Sequence, residues 1–294
     1  MTYGRLIRFL DEDSVEHYGE PIIDHADDLL VRASEQILQA TVLTGTSIFT
    51  LDSRTTGTKK VAQILPLLTS SEVPLIRCIG LNYLKHIKEG GRSPPPYPSV
   101  FTKPSTSIAS YNEDIPIPFI AQHDQLDYEG ELAILIGRTG KDISKANALD
   151  YVAGYAVSND VSARTWQRKP EYAGPVPQWD FSKGFDKFAP LGPLLVSPSL
   201  VNEASGLRLQ TWVNGELRQD SDTSDMLFGV REIVAFISQG TTLQRGTVIL
   251  TGTPAGVAMG MKPHPLYLKD QDVVKVRIEG LGFVENKMVF EKRA

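Results

Sequence analysis

The chain has a single cysteine, Cys78, in 294 residues, so no internal disulfide can form, and it contains no Asn-x-Ser/Thr acceptor. Both absences weigh against secretion. Long apolar runs are missing as well. Residues 1–30 carry a charge every few positions, which excludes a secretory signal or a membrane span there, and the acidic Asp11, Glu12, Asp13 and Glu16 oppose a mitochondrial presequence. A cytoplasmic location is expected. The net charge is −5 and no Lys/Arg cluster interleaves with aromatics, so neither nucleic acid nor a membrane surface is an expected partner. Repeats and low-complexity segments are also absent. What remains is ordinary globular composition, 41% hydrophobic and 22% charged, at a length suited to one large or two small domains.

The apolar pattern divides the chain into residues 1–72, a small N-terminal α+β domain, and residues 73–294, the main domain. In the first, residues 6–10 and 15–19 read as short strands, 27–38 as a helix or loop, and 63–68 as a hinge. No site is expected there, and His17 and His25 read as surface histidines. In the second, short apolar strands at 132–136, 152–157, 194–196, 207–213, 247–250 and 273–278 alternate with Gly/Pro/Asp turns. Two helical patterns stand out: 145–150, with Ser144 as its cap, and 230–238. The fold class is therefore mixed, β-rich α+β, with a roll or barrel-like main domain.

Glu129 and Glu131 open an otherwise apolar strand and, two residues apart, project from one face. Two ionised carboxylates about 4 Å apart at an effective dielectric near 20 repel by roughly 4 kcal/mol, so inside a core the pair calls for a cation or a shared proton. On an edge strand facing water the same pair carries no meaning. Asp160 follows the next buried strand and either supplies a third oxygen donor for a six-coordinate Mg²⁺ shell or caps the following helical turn.

His86 and Glu89 are three apart and share a face if the segment is helical. A carboxylate beside an imidazole fixes its tautomer and suits it to activating water, although a surface ion pair has the same spacing. The segment continues through Gly90-Gly91 into Pro94-Pro95-Pro96, a composition that fits either a lid over a site or a plain surface loop. Lys183 lies among Phe181, Phe185 and Gly184 rather than on a charged surface. Burial beside a cation would lower its pKa and equip it to stabilise an enolate oxygen or return a proton to carbon. Thr251-Gly252-Thr253-Pro254 follows a buried strand, and its amides and hydroxyls suit a substrate carboxylate. Gly137-Arg138-Thr139-Gly140-Lys141 is too short between glycines for a phosphate loop.

Five motifs, Cys78-Ile79-Gly80-Leu81-Asn82-Tyr83-Leu84-Lys85-His86, Glu129-Gly130-Glu131, Asn159-Asp160-Val161-Ser162-Ala163-Arg164, Ser182-Lys183-Gly184-Phe185-Asp186 and Thr251-Gly252-Thr253-Pro254-Ala255-Gly256-Val257, occur in the order and spacing of the fumarylacetoacetate hydrolase family. The chain resembles its short members, which include acylpyruvate hydrolases, oxaloacetate decarboxylases and oxaloacetate tautomerases, over residues 74–290. The resemblance implies a β-roll catalytic domain and a homodimer. It implies Mg²⁺ or Mn²⁺ on Glu129, Glu131 and Asp160, catalysis by His86, Glu89 and Lys183, and substrate contacts from Gln167 and Thr253. Arg164 and Lys103 are further candidates for the substrate carboxylate, or partners of the metal site. The longer eponymous enzymes place an additional metal-binding aspartate before the lid, where this chain reads Arg77-Cys78-Ile79-Gly80; three carboxylates are expected here. Three carboxylates, one divalent ion and Lys183 make a neutral pocket. The implied activity is cleavage of a carbon–carbon bond in a small 2-oxo or 1,3-dicarbonyl acid, by hydrolysis or decarboxylation, with keto–enol tautomerisation or metal-dependent binding without catalysis as alternatives.

Overall fold

Strand Gly130–Ile136 is buried at every position, and its apolar residues on both faces place it mid-sheet, antiparallel to Val152–Asn159 on one side and Val248–Leu250 on the other. The computed structural model describes residues 2–292, without the side chains of 53, 54 and 56. Around this centre an 11-stranded sheet runs from Asp52–Lys60 through Gln39–Thr44, Glu16–Pro21, Arg5–Leu10, Leu195–Val196 and the three strands just named to Ile76–Gly80 and Ser99–Lys103, with Gln63–Ile64 beside Arg5–Leu10. Ile76–Gly80 and Val248–Leu250 pair in parallel. A five-stranded sheet is ordered Glu216–Asp222, Arg208–Val213, Val273–Ile278, Gly282–Phe290 and Ile115–Ile117.

Alternation along the central strand assigns each side chain to a layer. Leu132, Ile134 and Ile136 join Leu209, Val274, Val276 and Ile278 in a core between the two sheets. Ala133 and Leu135 point the other way, into a second core with Leu6, Tyr18, Ile76, Cys78 and Phe101. The glutamates belong to the parity of Ala133 and Leu135, while Gly130 faces the five-stranded sheet. A Cβ there would lie 2.4 Å from Thr211 Oγ1 and 2.9 Å from Val276 Cγ1, so the glycine between the glutamates is where the sheets meet backbone to side chain.

The expected strands are present within a residue or two of their anticipated ends. Three findings differ from expectation. Residues 145–150 form no α-helix: Ser144 Oγ accepts the Asn147 N–H at 3.3 Å and a 3₁₀ turn, Ala148–Tyr151, leads straight into the next strand. Only Ala148 and Leu149 of this segment reach the core, and the exposed residues before them add no packing to hold a longer helix. Strands Gln39–Thr44 and Asp52–Lys60 were not anticipated, and the hinge at 63–68 begins as strand Gln63–Ile64. The sheets are also open rather than closed into a barrel, and the large one passes from Arg5–Leu10 directly into Leu195–Val196 through the pairs Arg5↔Val196 and Leu6↔Leu195. Residues 230–238 form the helix Val230–Ile237, and short helices Leu84–Glu89, Arg164–Arg168, Pro170–Ala173 and Trp179–Lys183 were not singled out in the helical pattern. Among the described residues no helix is long and apolar enough to cross a membrane.

Candidate active site

Sheet register builds the acidic cluster. Gly130 pairs with Asn159 and Glu131 with Ser158, so the next residues out, Glu129 and Asp160, face each other. The Asp160 N–H donates to the Glu129 carbonyl at 2.8 Å, and Asn159 Oδ1 accepts the Glu129 N–H at 2.9 Å. One carboxylate oxygen from each of Glu129, Glu131 and Asp160 lies within 4.8 Å of the others. Their exposures are 7%, 2% and 0%, which removes the alternative of an edge strand in water. Asp160 is not a helix cap either: Ala163 occupies that position, and the aspartate faces two lysines.

Three cations answer these carboxylates. Lys183, at the end of helix Trp179–Lys183, donates to Glu129 Oε2 at 2.7 Å, Asp160 Oδ2 at 2.6 Å and Ser162 Oγ at 2.7 Å, which uses all its ammonium protons. Burial would depress its pKa, but Asp160 and Glu129 outweigh burial and raise it; the expected lowering is tied to a cation in the cluster. Lys103 is fully buried, 2.5 Å from Asp160 Oδ1 and hydrogen-bonded to the Phe188 carbonyl. It stands behind the acidic cluster, not at the cavity, so the geometry makes it a partner of Asp160 and not a group that touches substrate. Arg164 places Nε 2.8 Å from Asp127 Oδ2, Nη2 2.6 Å from Glu129 Oε1, and donates from Nη1 to Gln167 Oε1 at 3.0 Å.

Glu131 is treated differently. It has no cationic partner within ion-pair distance; its Oε2 accepts the Gly252 N–H at 2.6 Å. Burial, then Asp160 and Glu129, push its carboxyl well above the ordinary range. For Glu129 burial also acts upward, but Lys183 and Arg164 override it and hold the group well below that range. Four carboxylates, Asp127 included, thus meet three cations, and one negative charge stands over. A divalent ion would leave this site at +1 rather than neutral, because Asp127, Arg164 and Lys103 had not entered the expected balance. Three buried, converging oxygen donors with one carboxylate lacking a counter-charge fit a hard divalent cation such as Mg²⁺ or Mn²⁺.

Above the cluster, helix Leu84–Glu89 brings His86 Nδ1 to 2.9 Å from Glu89 Oε2. The other oxygen, Glu89 Oε1, accepts the Gly256 N–H at 3.0 Å. This pairing assigns the proton to Nδ1 and leaves Nε2 as the basic nitrogen. Asn82 anchors the start of the segment, donating to the Thr251 carbonyl at 2.8 Å and accepting the Phe228 N–H at 2.9 Å. Thr251-Gly252-Thr253 does not present a free anion nest. Thr251 Oγ1 donates to the Leu132 carbonyl, the Gly252 amide holds Glu131, and Thr253 Oγ1 lies between the Gly130 carbonyl and Gln219 Nε2. Gly252 has φ +97°, and a Cβ would come within 2.9 Å of Ile79 O and Asn82 Cβ, so this hold on Glu131 depends on glycine.

A cavity opens over the cluster, with His86, Glu129, Arg164, Gln167, Lys183 and Thr253 on its wall. Glu131 and Asp160 lie beneath it, Glu89 behind His86. Gln167 turns its carbonyl oxygen to Arg164 and keeps its amide nitrogen without a protein acceptor. Trp179 and Phe101, in edge contact at 5.4 Å, form the apolar side. Four polar residues have no role in the sequence reading, although Asn159 and Ser162 lie inside a quoted motif: Asp127, Asn159, Ser162 and Arg168. Asp127 accepts from Arg164 and from the Tyr128, Ala258 and Met259 amides; its place two residues before Glu129 was the available signal. Arg168 lies four residues beyond Arg164, on the same helical face.

Residues 75–289 match the family described as fumarylacetoacetate (FAA) hydrolase, C-terminal. The chain belongs to this family. It is 39% identical to a caffeoylpyruvate hydrolase from Neonothopanus nambi over 298 residues, covering 99% of this chain and 95% of the relative. Among solved structures it resembles a 2-hydroxyhepta-2,4-diene-1,7-dioate isomerase from Mycobacterium marinum, with TM-score 0.78, 33% identity and coverage of 99% and 100%. It also resembles a fumarylacetoacetate hydrolase from Exiguobacterium antarcticum, with TM-score 0.72, 35% identity and coverage of 98% and 99%. As a fumarylacetoacetate hydrolase family member the chain is an enzyme, and its open β-rich sheets are those of its relatives.

Proposed function

We propose that this enzyme is a divalent-metal-dependent hydrolase of short acylpyruvate-type 2-oxo acids. The observation that carries the reading is the pairing of a general-base dyad, His86 with Glu89, and a buried three-carboxylate cluster around one cavity. A divalent ion held by Glu129, Glu131 and Asp160 would polarise the 2-oxo group and stabilise negative charge developing there. His86 Nε2 takes a proton from water as the water oxygen bonds to the acyl carbon. The carbon–carbon bond then breaks, its electron pair passing to the pyruvate fragment as enolate. Lys183 gives that carbon a proton, and the products are a carboxylate and pyruvate. Glu89 keeps the imidazole oriented, the Gln167 amide nitrogen donates to a substrate oxygen, and Thr253 adds shape to the wall. Arg164 positions Glu129. A base aimed at water favours hydrolysis over decarboxylation, which needs no nucleophile.

A second reading, keto–enol isomerisation, is supported by the likeness to the Mycobacterium marinum isomerase and needs proton transfer by His86 or Lys183 alone. The deciding experiment supplies Mg²⁺ or Mn²⁺ with acylpyruvates and both oxaloacetate tautomers, and follows pyruvate, CO₂ and enol absorbance separately. Pyruvate release from acylpyruvates is the expected result. Enol decay without pyruvate would replace hydrolysis by isomerisation. The family resemblance also supports a homodimer, which light scattering after gel filtration tests.

A further inference from the structure

Arg164 and Arg168 sit one helical turn apart on the same face, yet their surroundings are opposite. Arg164 is ion-paired with Asp127 and Glu129 and donates to Gln167. The Arg168 side chain makes no hydrogen bond, and its Nε is shielded from solvent without a partner. It reaches the cavity wall and also an outer groove whose lining includes Arg92, Pro170 and Gly174. No carboxylate among the described residues pairs with either Arg92 or Arg168. Burial, then the like charges of Arg164 and Arg92, lower the Arg168 pKa to about 10, the mark of a guanidinium missing its counter-ion. A metal-loaded floor at +1 is neutralised by the carboxylate of a 2-oxo acid, which leaves the cation at the mouth still unmatched.

Resting on the hydrolase reading above, we propose that Arg168, with Arg92 beside it, receives a second carboxylate at the far end of the substrate, so that the enzyme is specific for acylpyruvates that are dianions. The planar guanidinium presents parallel donors that match a carboxylate, and its half-buried, unpartnered position between cavity and groove leaves those donors open to one.

The test compares 2,4-dioxoheptanedioate with 2,4-dioxoheptanoate, equal in length and differing only in the terminal group. Wild-type kcat/KM favours the diacid by about tenfold to a hundredfold, the range of one charge-assisted hydrogen-bonded pair. Arg168→Gln removes that preference, raising KM for the diacid far more than for the monoacid, and Arg168→Lys restores part of it. Equal wild-type constants, or an equal loss on both substrates in Arg168→Gln, overturn the proposal. Calorimetry of the Mg²⁺-loaded protein with 2-oxoheptanedioate and 2-oxoheptanoate, which lack the cleavable acyl group, separates the two readings. If neither dioxo acid is cleaved the hydrolase reading fails, while a diacid that binds more tightly than the monoacid, by a margin that Arg168→Gln abolishes, still upholds the anion site. Equal binding overturns it.

Discussion

The floor of the cavity and its mouth handle positive charge in opposite ways. On the floor every cation is spoken for: Lys103, Lys183 and Arg164 each touch at least one buried carboxylate at 2.5–2.8 Å. At the mouth Arg168 has no carboxylate within ion-pair distance and no side-chain hydrogen bond among the described residues. A paired, desolvated ion is held in place by its partners, because removing one leaves the other in an apolar interior. An unpaired one is kept for something that arrives from outside. The same residue type, four positions apart on one helix, serves both ends.

Variants break this comparison from the floor upward. Lys103→Met leaves Asp160 Oδ1 unpaired while Lys183 keeps Oδ2, and should cost about 1–3 kcal/mol of folding stability, read by chemical denaturation; no measurable loss would mean that Oδ1 had gained another donor. His86→Ala should lower kcat by about 10²–10⁴ while calorimetric Mn²⁺ affinity and Tm stay unchanged, since the imidazole touches neither the acidic cluster nor the core. Chelation with EDTA should abolish activity and lower Tm, and restoring Mg²⁺ to about 100 Kd should return roughly 2.7 kcal/mol of stability. Glu131→Gln should erase that dependence and leave the chelated enzyme no less stable, because the carboxylate replaced has no cation of its own. Arg168→Gln, at the other end, should move stability by no more than about 0.5 kcal/mol in either direction, a value that denaturant midpoints resolve.

The acidic cluster was legible because strand periodicity is geometric: Glu129 and Glu131 must share a face, and Asp160 ends the neighbouring strand. The antiparallel register that brings Asp160 opposite Glu129 depends on a pairing the one-dimensional pattern does not contain. Lys183 was singled out for its apolar neighbours, but the two carboxylates that hold its ammonium come from positions 54 and 23 residues away. Lys103 misled for a related reason. A lysine in Phe-Thr-Lys-Pro looks available to a ligand until its strand, Ser99–Lys103, is seen at the end of the large sheet with the ammonium turned inward. In the N-terminal region the strands at 39–60 were overlooked because one of them, Asp52–Lys60, is almost entirely polar and shows no apolar alternation.

Parallel pairing of Ile76–Gly80 with Val248–Leu250 has a consequence for biosynthesis. A growing polypeptide that has reached helix Val230–Ile237 already contains every carboxylate and lysine of the cluster, together with His86 and Glu89. It still lacks the Gly252 amide that steadies Glu131 and the Gly256 amide that docks Glu89. Contacts this distant along the chain form late. The ribosome must therefore deliver the last fifth of the molecule before the proton-transfer apparatus can lock into place, and a chain ending upstream of Val248 lacks both amides, the one on Glu131 and the one on Glu89.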